Sequence, residues 1–389
     1  MFNLKTNNYI LLIWCIECVC IINSFWQVIP DLDYLVWMMS FMIFSIKGSF
    51  KFNSDEFNLI MLFITLITVQ AMGCVYNMSL FAFKNVLSTI MVMIMYMVLF
   101  MLSEIRKSIV FNFSYLILIA IALFVSLSGV RMGNTLPACI VFITSCFLLY
   151  NIKYSINLES TKNNIIKWPK YIFLIIPIVA AIYIAFFSES RTAFGIFFII
   201  LSVNVIFQYF RISKDSLKKT FYYLLVSIVV LLTFYINLSN FSWFNELNFY
   251  SQLYFEKNIN SGRDYIWSYT FSNMEWWQFI IGSGTGRLPS ISRYAESSFH
   301  NTFIQLFVQN GIIGLGILIA ILRYTWNLII KNNSIKFARL SISLFIGIIV
   351  YNCFECTLIA NKAFLGSIQW MALAIAANKN IHDLRKERL

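Results

Sequence analysis

Charge and histidine are what this chain has little of. Asp, Glu, Lys and Arg together make up 12% of its 389 residues, and histidine occurs twice. A soluble domain carries about twice that share of charge, so an ordinary soluble domain is excluded. Apolar runs recur to the end of the chain, and 60% of the residues are hydrophobic. Such runs mark a polytopic membrane protein. They do not alternate polar with apolar residues, which excludes a membrane β-barrel. Backbone groups in lipid must be satisfied within each segment, so the spans are helices. The first run lacks a small-residue cleavage site and is followed by Trp26 and Gln27; it is expected to remain as the first helix. No internal repeat is visible.

The net charge of +12 would suit nucleic acid if it were gathered in one patch. It lies instead in short segments between apolar runs, so no nucleic-acid partner is expected. Twelve spans are read, at about 9–28, 32–47, 57–75, 80–102, 109–128, 133–151, 170–188, 192–210, 220–238, 300–322, 337–358 and 363–378. With the N-terminus inside, 21 of the 29 Lys and Arg fall on the inner side and seven on the outer, which sets both termini in the cytoplasm. The organisation expected is residues 1–238 with spans one to nine, a large external loop at 239–300, and residues 301–389 with spans ten to twelve and an inner tail.

The eight cysteines all fall in apolar segments. Cys353-Phe-Glu-Cys356 has redox or metal spacing, but no histidine stands near it, and packing is the favoured reading. Asp31-Leu-Asp33 has the spacing of a metal motif without further clustered carboxylates. No metal and no other cofactor is expected. Glu17, Lys84 and Glu355 fall inside spans, where charge is costly; Lys84 and Glu355 are near outer ends and are read as paired or cavity-facing rather than catalytic.

The outer cations have a bias of their own. Five of the seven are Arg, against six of 21 inside. Lysine suffices to orient a loop, whereas the arginine fork grips a phosphate at two points. An anionic group handled outside is one reading; lipid headgroups and ion pairs with Glu189, Asp264 or Glu296 are the plainer one. Three external clusters stand out. Ser188-Glu-Ser-Arg-Thr-Ala193 puts Arg191 where span eight begins, near free helix N–H groups. In Ser261-Gly-Arg-Asp-Tyr-Ile-Trp267, Arg263 and Trp267 share a helix face. Gly282, Gly284 and Gly286 form a flexible turn followed by Arg287, Arg293 and His300. No strand precedes the turn and no Lys-Ser or Lys-Thr follows it, so a nucleotide loop is not expected. Close approach of the Gly284 backbone to a substrate and a simple turn both fit. Trp267 and its aromatic neighbours suit an interface belt or stacking on sugar rings.

His300 is the only external histidine. It is expected to open a helix capped by Ser297 or Ser298, with Asn301 orienting its ring. The positive helix end disfavours imidazolium, leaving a neutral ring able to take a proton. A capping role is the bland alternative.

The order of these motifs resembles one family. Arg191 in Ser-Arg-Thr-Ala, Gly262-Arg263 with Trp267 four residues on, the Gly-Ser-Gly-Thr-Gly turn, and His300-Asn301 followed by Gln309-Asn-Gly-Ile-Ile-Gly314 are similar to the bacterial O-antigen polymerase and ligase superfamily. The likeness is specific over 188–316. It implies a GT-C-like helical fold and glycosyl transfer outside the inner membrane. The donor would be a glycan on undecaprenyl diphosphate and the acceptor a sugar hydroxyl. It implies Arg191 and Arg263 as the diphosphate's holders and His300 as the external base. Arg287, Arg293, Asn301, Gly284 and Trp267 are added as substrate-binding candidates on this chain's own pattern. Membrane lipid, a chain-length regulator and a flippase are the partners implied. Polymerisation of repeat units is the leading reading. Ligation of finished glycan to lipid A-core is the second, and a flippase is the alternative of another class.

Overall fold

The computed structural model describes residues 54–101, 179, 191–255, 258–259, 262–288, 298–359 and 363–377. Among these every regular element is a helix and none is a strand. In chain order they are α1 (Ser54–Asn77), α2 (Leu80–Met101), α3 (Arg191–Tyr209), α4 (Lys214–Ile236), α5 (Ser242–Phe255), α6 (Arg263–Ser272), α7 (Gln278–Ile281), α8 (Thr302–Asn332), α9 (Ile335–Asn352) and α10 (Ala363–Ala377). Four of them, α1, α4, α8 and α9, are long and apolar enough to cross a membrane, and α2, α3 and α10 carry shorter apolar stretches. The expected spans at 9–28, 32–47, 109–128 and 133–151 lie outside the described residues, as does 170–188 apart from residue 179.

Burial separates central from peripheral helices. The apolar window of α9 is 78% buried and that of α4 only 6%. Helix α8 is the hub and packs against α1, α4, α9 and α10. Two tryptophans fix this arrangement, each burying its ring and spending its N–H on a backbone carbonyl. Trp326 on α8 stacks edge-on against Phe221 of α4 (5.3 Å) and Phe345 of α9 (5.2 Å), and donates to the Leu217 carbonyl at 2.9 Å. Trp370 on α10 meets Phe63 of α1 (5.3 Å) and Tyr96 of α2 (5.5 Å), and donates to Leu358 O at 2.9 Å.

Two expected spans are corrected. The tenth, read as 300–322, is a helix from Thr302 to Asn332 broken at Gly311, whose φ of 65° and ψ of −167° no other residue adopts cheaply. The eleventh, read as 337–358, stops at Asn352, and 353–359 is irregular although buried. The polar residues there, Gln309-Asn310 and Asn352, are few among apolar ones, so hydropathy runs through both features. Their consequence is geometric. Below the break α8 rises about 30 Å, and α9 rises about 26 Å over its 18 residues. The segment 302–310 before the break meets the end of α9, where Thr302 Oγ lies 2.9 Å from Asn352 Oδ1.

Candidate active site

The glycine turn follows from the break in α8. The carbonyls of Val308 and Gln309, at the break, accept from the turn: Ser283 N–H and Oγ donate to Val308 O at 2.8 Å each, and Gly284 N–H donates to Gln309 O at 3.0 Å. Thr285 donates to Gln70 O on α1 at 2.8 Å and accepts from Asn310 at 2.9 Å. A Cβ on Gly282 would lie 2.3 Å from the Gln309 carbonyl, and one on Gly286 would lie 2.6 Å from Ala82 Cα. These glycines let three helices approach a turn. Gly284 is buried there, so the reading of its backbone as a substrate cradle gives way to one of packing. Arg287 follows the turn with an exposed side chain, while its carbonyl accepts from Gln309 at 3.0 Å.

Arg263 is the first residue of α6, placed by Gly262 in the left-handed region (φ 75°). One turn on, Trp267 is fully buried, packs on Tyr235 of α4 at 5.3 Å, and donates its indole N–H to Phe299 O at 2.7 Å. It has no exposed face for a sugar, which corrects the stacking reading; it ties α6 to the residue before His300. Beneath it, Ile266, Phe299, Ile304, Val308 and Cys356 close a small apolar core.

His300 does not open the helix. Asn301 is the N-cap of α8: its Oδ1 accepts from Phe303 and Ile304 N–H at 2.9 Å each, and its Nδ2 donates to Cys353 O at 2.9 Å. With Asn301 fully buried and its amide spent in this way, neither the ring-orienting nor the substrate-binding reading of Asn301 survives. Nor is Ser298 the cap; its Oγ accepts from His300 N–H at 3.2 Å. His300 itself sits at φ 51°, a left-handed conformation that few non-glycine residues adopt. Strain of about 1–3 kcal/mol held against a buried cap is typical of functional positions.

The site closes on a residue that the sequence reading set aside. Glu355, in the irregular segment after α9, places Oε1 3.5 Å from Arg263 Nη2 and Oε2 3.8 Å from His300 Nδ1. The Arg263 and Glu355 side chains are 15% and 12% exposed, and that of His300 is 38% exposed. The carboxylate is thus enclosed while the imidazole reaches solvent. Arg263 Nε and His300 Nδ1 are buried without a hydrogen-bond partner. Phe354 lies under the guanidinium, 6.0 Å from centroid to Cζ. Pairing of Glu355 was expected; its place between Arg263 and His300 was not. An ionisable residue deep in an apolar run is a site signal in its own right, and that signal was present. Cys356, next to it, accepts the Asn301 N–H at 3.0 Å, and burial pushes its thiol well above the usual range. That suits packing, as expected, and not redox chemistry.

Arg191 begins α3, at the position that puts it by a helix N-terminus. Arg293 lies outside the described residues. Among the described residues no group of three or more His, Cys, Asp or Glu stands together to hold a metal ion.

Residues 176–319 match the model of the Wzy_C family, described as O-antigen ligase. No curated protein matches the chain. The matched segment contains Arg191, Arg263, the glycine turn, His300 and the break at Gly311; Glu355 lies beyond it. The resemblance to the O-antigen polymerase and ligase superfamily is borne out over this segment by the match.

Proposed function

We propose that this chain is an O-antigen polymerase, a glycosyltransferase that joins oligosaccharide repeat units carried on undecaprenyl diphosphate at the outer face of the inner membrane. One observation carries the reading. Arg263 and His300, from separate elements, converge on the Glu355 carboxylate with a buried donor nitrogen unpaired on each. That is a cation for a leaving group and a base for a nucleophile, side by side.

The chemistry follows from the roles. The acceptor sugar hydroxyl gives its proton to His300 Nε2 as its oxygen attacks the donor's anomeric carbon. The bond from that carbon to the diphosphate oxygen breaks, and its electron pair leaves on the diphosphate. Arg263 and Arg191 at helix starts offset the charge that grows there. Glu355 Oε2 faces Nδ1 from 3.8 Å, so a small closure on substrate binding brings the Nδ1 proton onto the carboxylate and presents the lone pair at Nε2. Arginines serve here where other glycosyltransferases use a divalent metal. The twelve-span topology with the 239–300 loop outside belongs to the same reading, supported by the 21:7 charge split.

The family description names a ligase, which favours ligation to lipid A-core as the second reading. Banding of lipopolysaccharide from a deletion strain separates the two. A polymerase-null strain keeps one repeat on core, and a ligase-null strain loses every O-antigen band. Restoration of a full ladder by the wild-type chain and not by His300→Ala is the expected result. Loss of every band on deletion would overturn polymerisation in favour of ligation.

A further inference from the structure

Glu355 stands in the irregular segment 353–359, where its N–H makes the last helical bond back to α9, to Tyr351 O at 3.0 Å. Past that bond the segment is held by side chains. Directly beneath lies a closed set of four polar side chains, all 2% exposed or less: Thr302, Asn352, Thr357 and Gln369. Thr302 N–H and Oγ both lie within reach of the Glu355 carbonyl, at 3.2 and 3.0 Å. The same Oγ accepts from Thr357 N–H at 3.3 Å and lies 2.9 Å from Asn352 Oδ1. Thr357 Oγ is 3.2 Å from Asn352 Oδ1 and accepts from Gln369 Nε2 at 2.9 Å. Asn352 Nδ2 closes the ring on Gln369 Oε1 at 2.8 Å and also donates to Ile348 O at 2.8 Å. The start of α8, the end of α9, the 355–357 segment and α10 are thereby joined through one set of bonds.

We infer that Thr357 and Gln369, two members of this ring, are positioning residues that hold Glu355 against His300. The inference rests on the polymerase reading of the site. A core needs no such ring: apolar residues of like volume pack as well, and a partly satisfied polar network is worse than none. This one is satisfied at both amides, and its one irregular strand of backbone is the segment that carries the carboxylate. Losing a bond in it lets the 353–357 segment drift. A misplacement of about 1 Å in a reacting constellation costs on the order of 10²-fold in rate.

The test compares Thr357→Val with Thr357→Ser, using the purified full-length chain and lipid-linked repeat units. Valine keeps the shape and removes the hydroxyl; serine keeps the hydroxyl. Thr357→Val should lower kcat by about 10–100-fold with KM for the lipid-linked donor little changed, and Thr357→Ser should restore kcat to near wild type. A structural role would reduce the yield of folded protein and leave turnover per folded molecule intact. Wild-type kcat in Thr357→Val, or a loss confined to KM, would overturn the inference. Should Thr357→Val not be recovered as monodisperse protein, Gln369→Glu carries the test. Its protonated acid reproduces the amide's donor and acceptor, whereas its ionised form does not. Activity relative to wild type at the same pH should therefore fall as pH rises and the acid ionises; a profile identical to wild type would overturn the inference. Arg263→Ala and His300→Ala are run beside these variants. If they stay active, the polymerase reading of the site has failed; if they are dead while Thr357→Val and Gln369→Glu match wild type, only the ring has.

Discussion

Replacing Glu355 by glutamine should silence the site without disturbing its shape. The two carboxylate oxygens are divided between two donors, Arg263 at 3.5 Å and His300 Nδ1 at 3.8 Å. Glutamine has one oxygen and one NH2, so it can satisfy only one of them. The guanidinium decides which. A unit charge pair at that separation interacts by about 5 kcal/mol at an effective dielectric of about 20, and a neutral amide oxygen still takes the donor of fixed positive charge. The NH2 then faces His300. It donates to Nδ1, which forces the proton onto Nε2, the nitrogen that must accept from the acceptor hydroxyl. A positioned base contributes about 10²–10⁴-fold, and an amide exchanged for a carboxylate beside a catalytic histidine costs about 10⁴-fold through the same tautomer fault. We expect kcat to fall by about 10²-fold or more, with donor KM unchanged or lower because Arg263 is released from its counter-ion. The assay is single-turnover conversion of lipid-linked repeats by detergent-purified protein, with thermal unfolding as the check on folding. Turnover within about threefold of wild type in a folded Glu355→Gln protein would refute the assignment of Glu355 to His300, against that range of about 10²–10⁴.

Three further outcomes are expected. Arg263→Lys keeps the charge but loses the fork and the fit over Phe354, so polymerisation should be severely impaired at normal protein levels; near-normal activity would remove the two-point grip on diphosphate. Gly311→Ala brings a Cβ to 2.1 Å from Ile280 O at a φ of +65°, and about 1–3 kcal/mol of backbone strain adds to that clash. Its unfolding temperature should drop by several degrees or the protein should fail to fold, whereas Gly316→Ala, with nothing within 4 Å of the added carbon, should be tolerated. Excess EDTA should leave turnover of the purified chain unchanged; activity abolished by EDTA and restored by magnesium or manganese would contradict the arginine-for-metal argument.

The helical membrane class and several helix positions were legible in the sequence because lipid leaves few solutions: scarce charge and long apolar runs admit only helices. Arg263 and His300 stand out in the sequence for a related reason, as rare polar types in the stretch that the charge split reads as external, and the structure brings them to one carboxylate. What stayed hidden depended on tertiary contact. Asn310-Gly311 is a turn signal set inside an otherwise apolar run, and only the bonds of Ser283 and Gly284 to Val308 and Gln309 show that the helix breaks there. Trp267 and Asn301 look like ligand-binding types, yet each is spent on the backbone, at Phe299 for the one and at Phe303, Ile304 and Cys353 for the other. Hydropathy reads Glu355 as a costly charge inside a span because apolar residues flank Asn352 on both sides and mask the end of α9 there. Once the helix ends there, the same residue falls in a bend beside the site.

The proposed polymerisation rests on direct transfer between lipid-linked donors and acceptors. The most direct measurement is reconstitution of the purified protein with undecaprenyl-diphosphate-linked repeat units alone, resolving glycan length and released lipid diphosphate. A ladder of products with one lipid diphosphate released per linkage, lost in His300→Ala and Arg263→Ala, is the predicted result. Unchanged single repeats, with transfer seen only when lipid A-core is added, would contradict it.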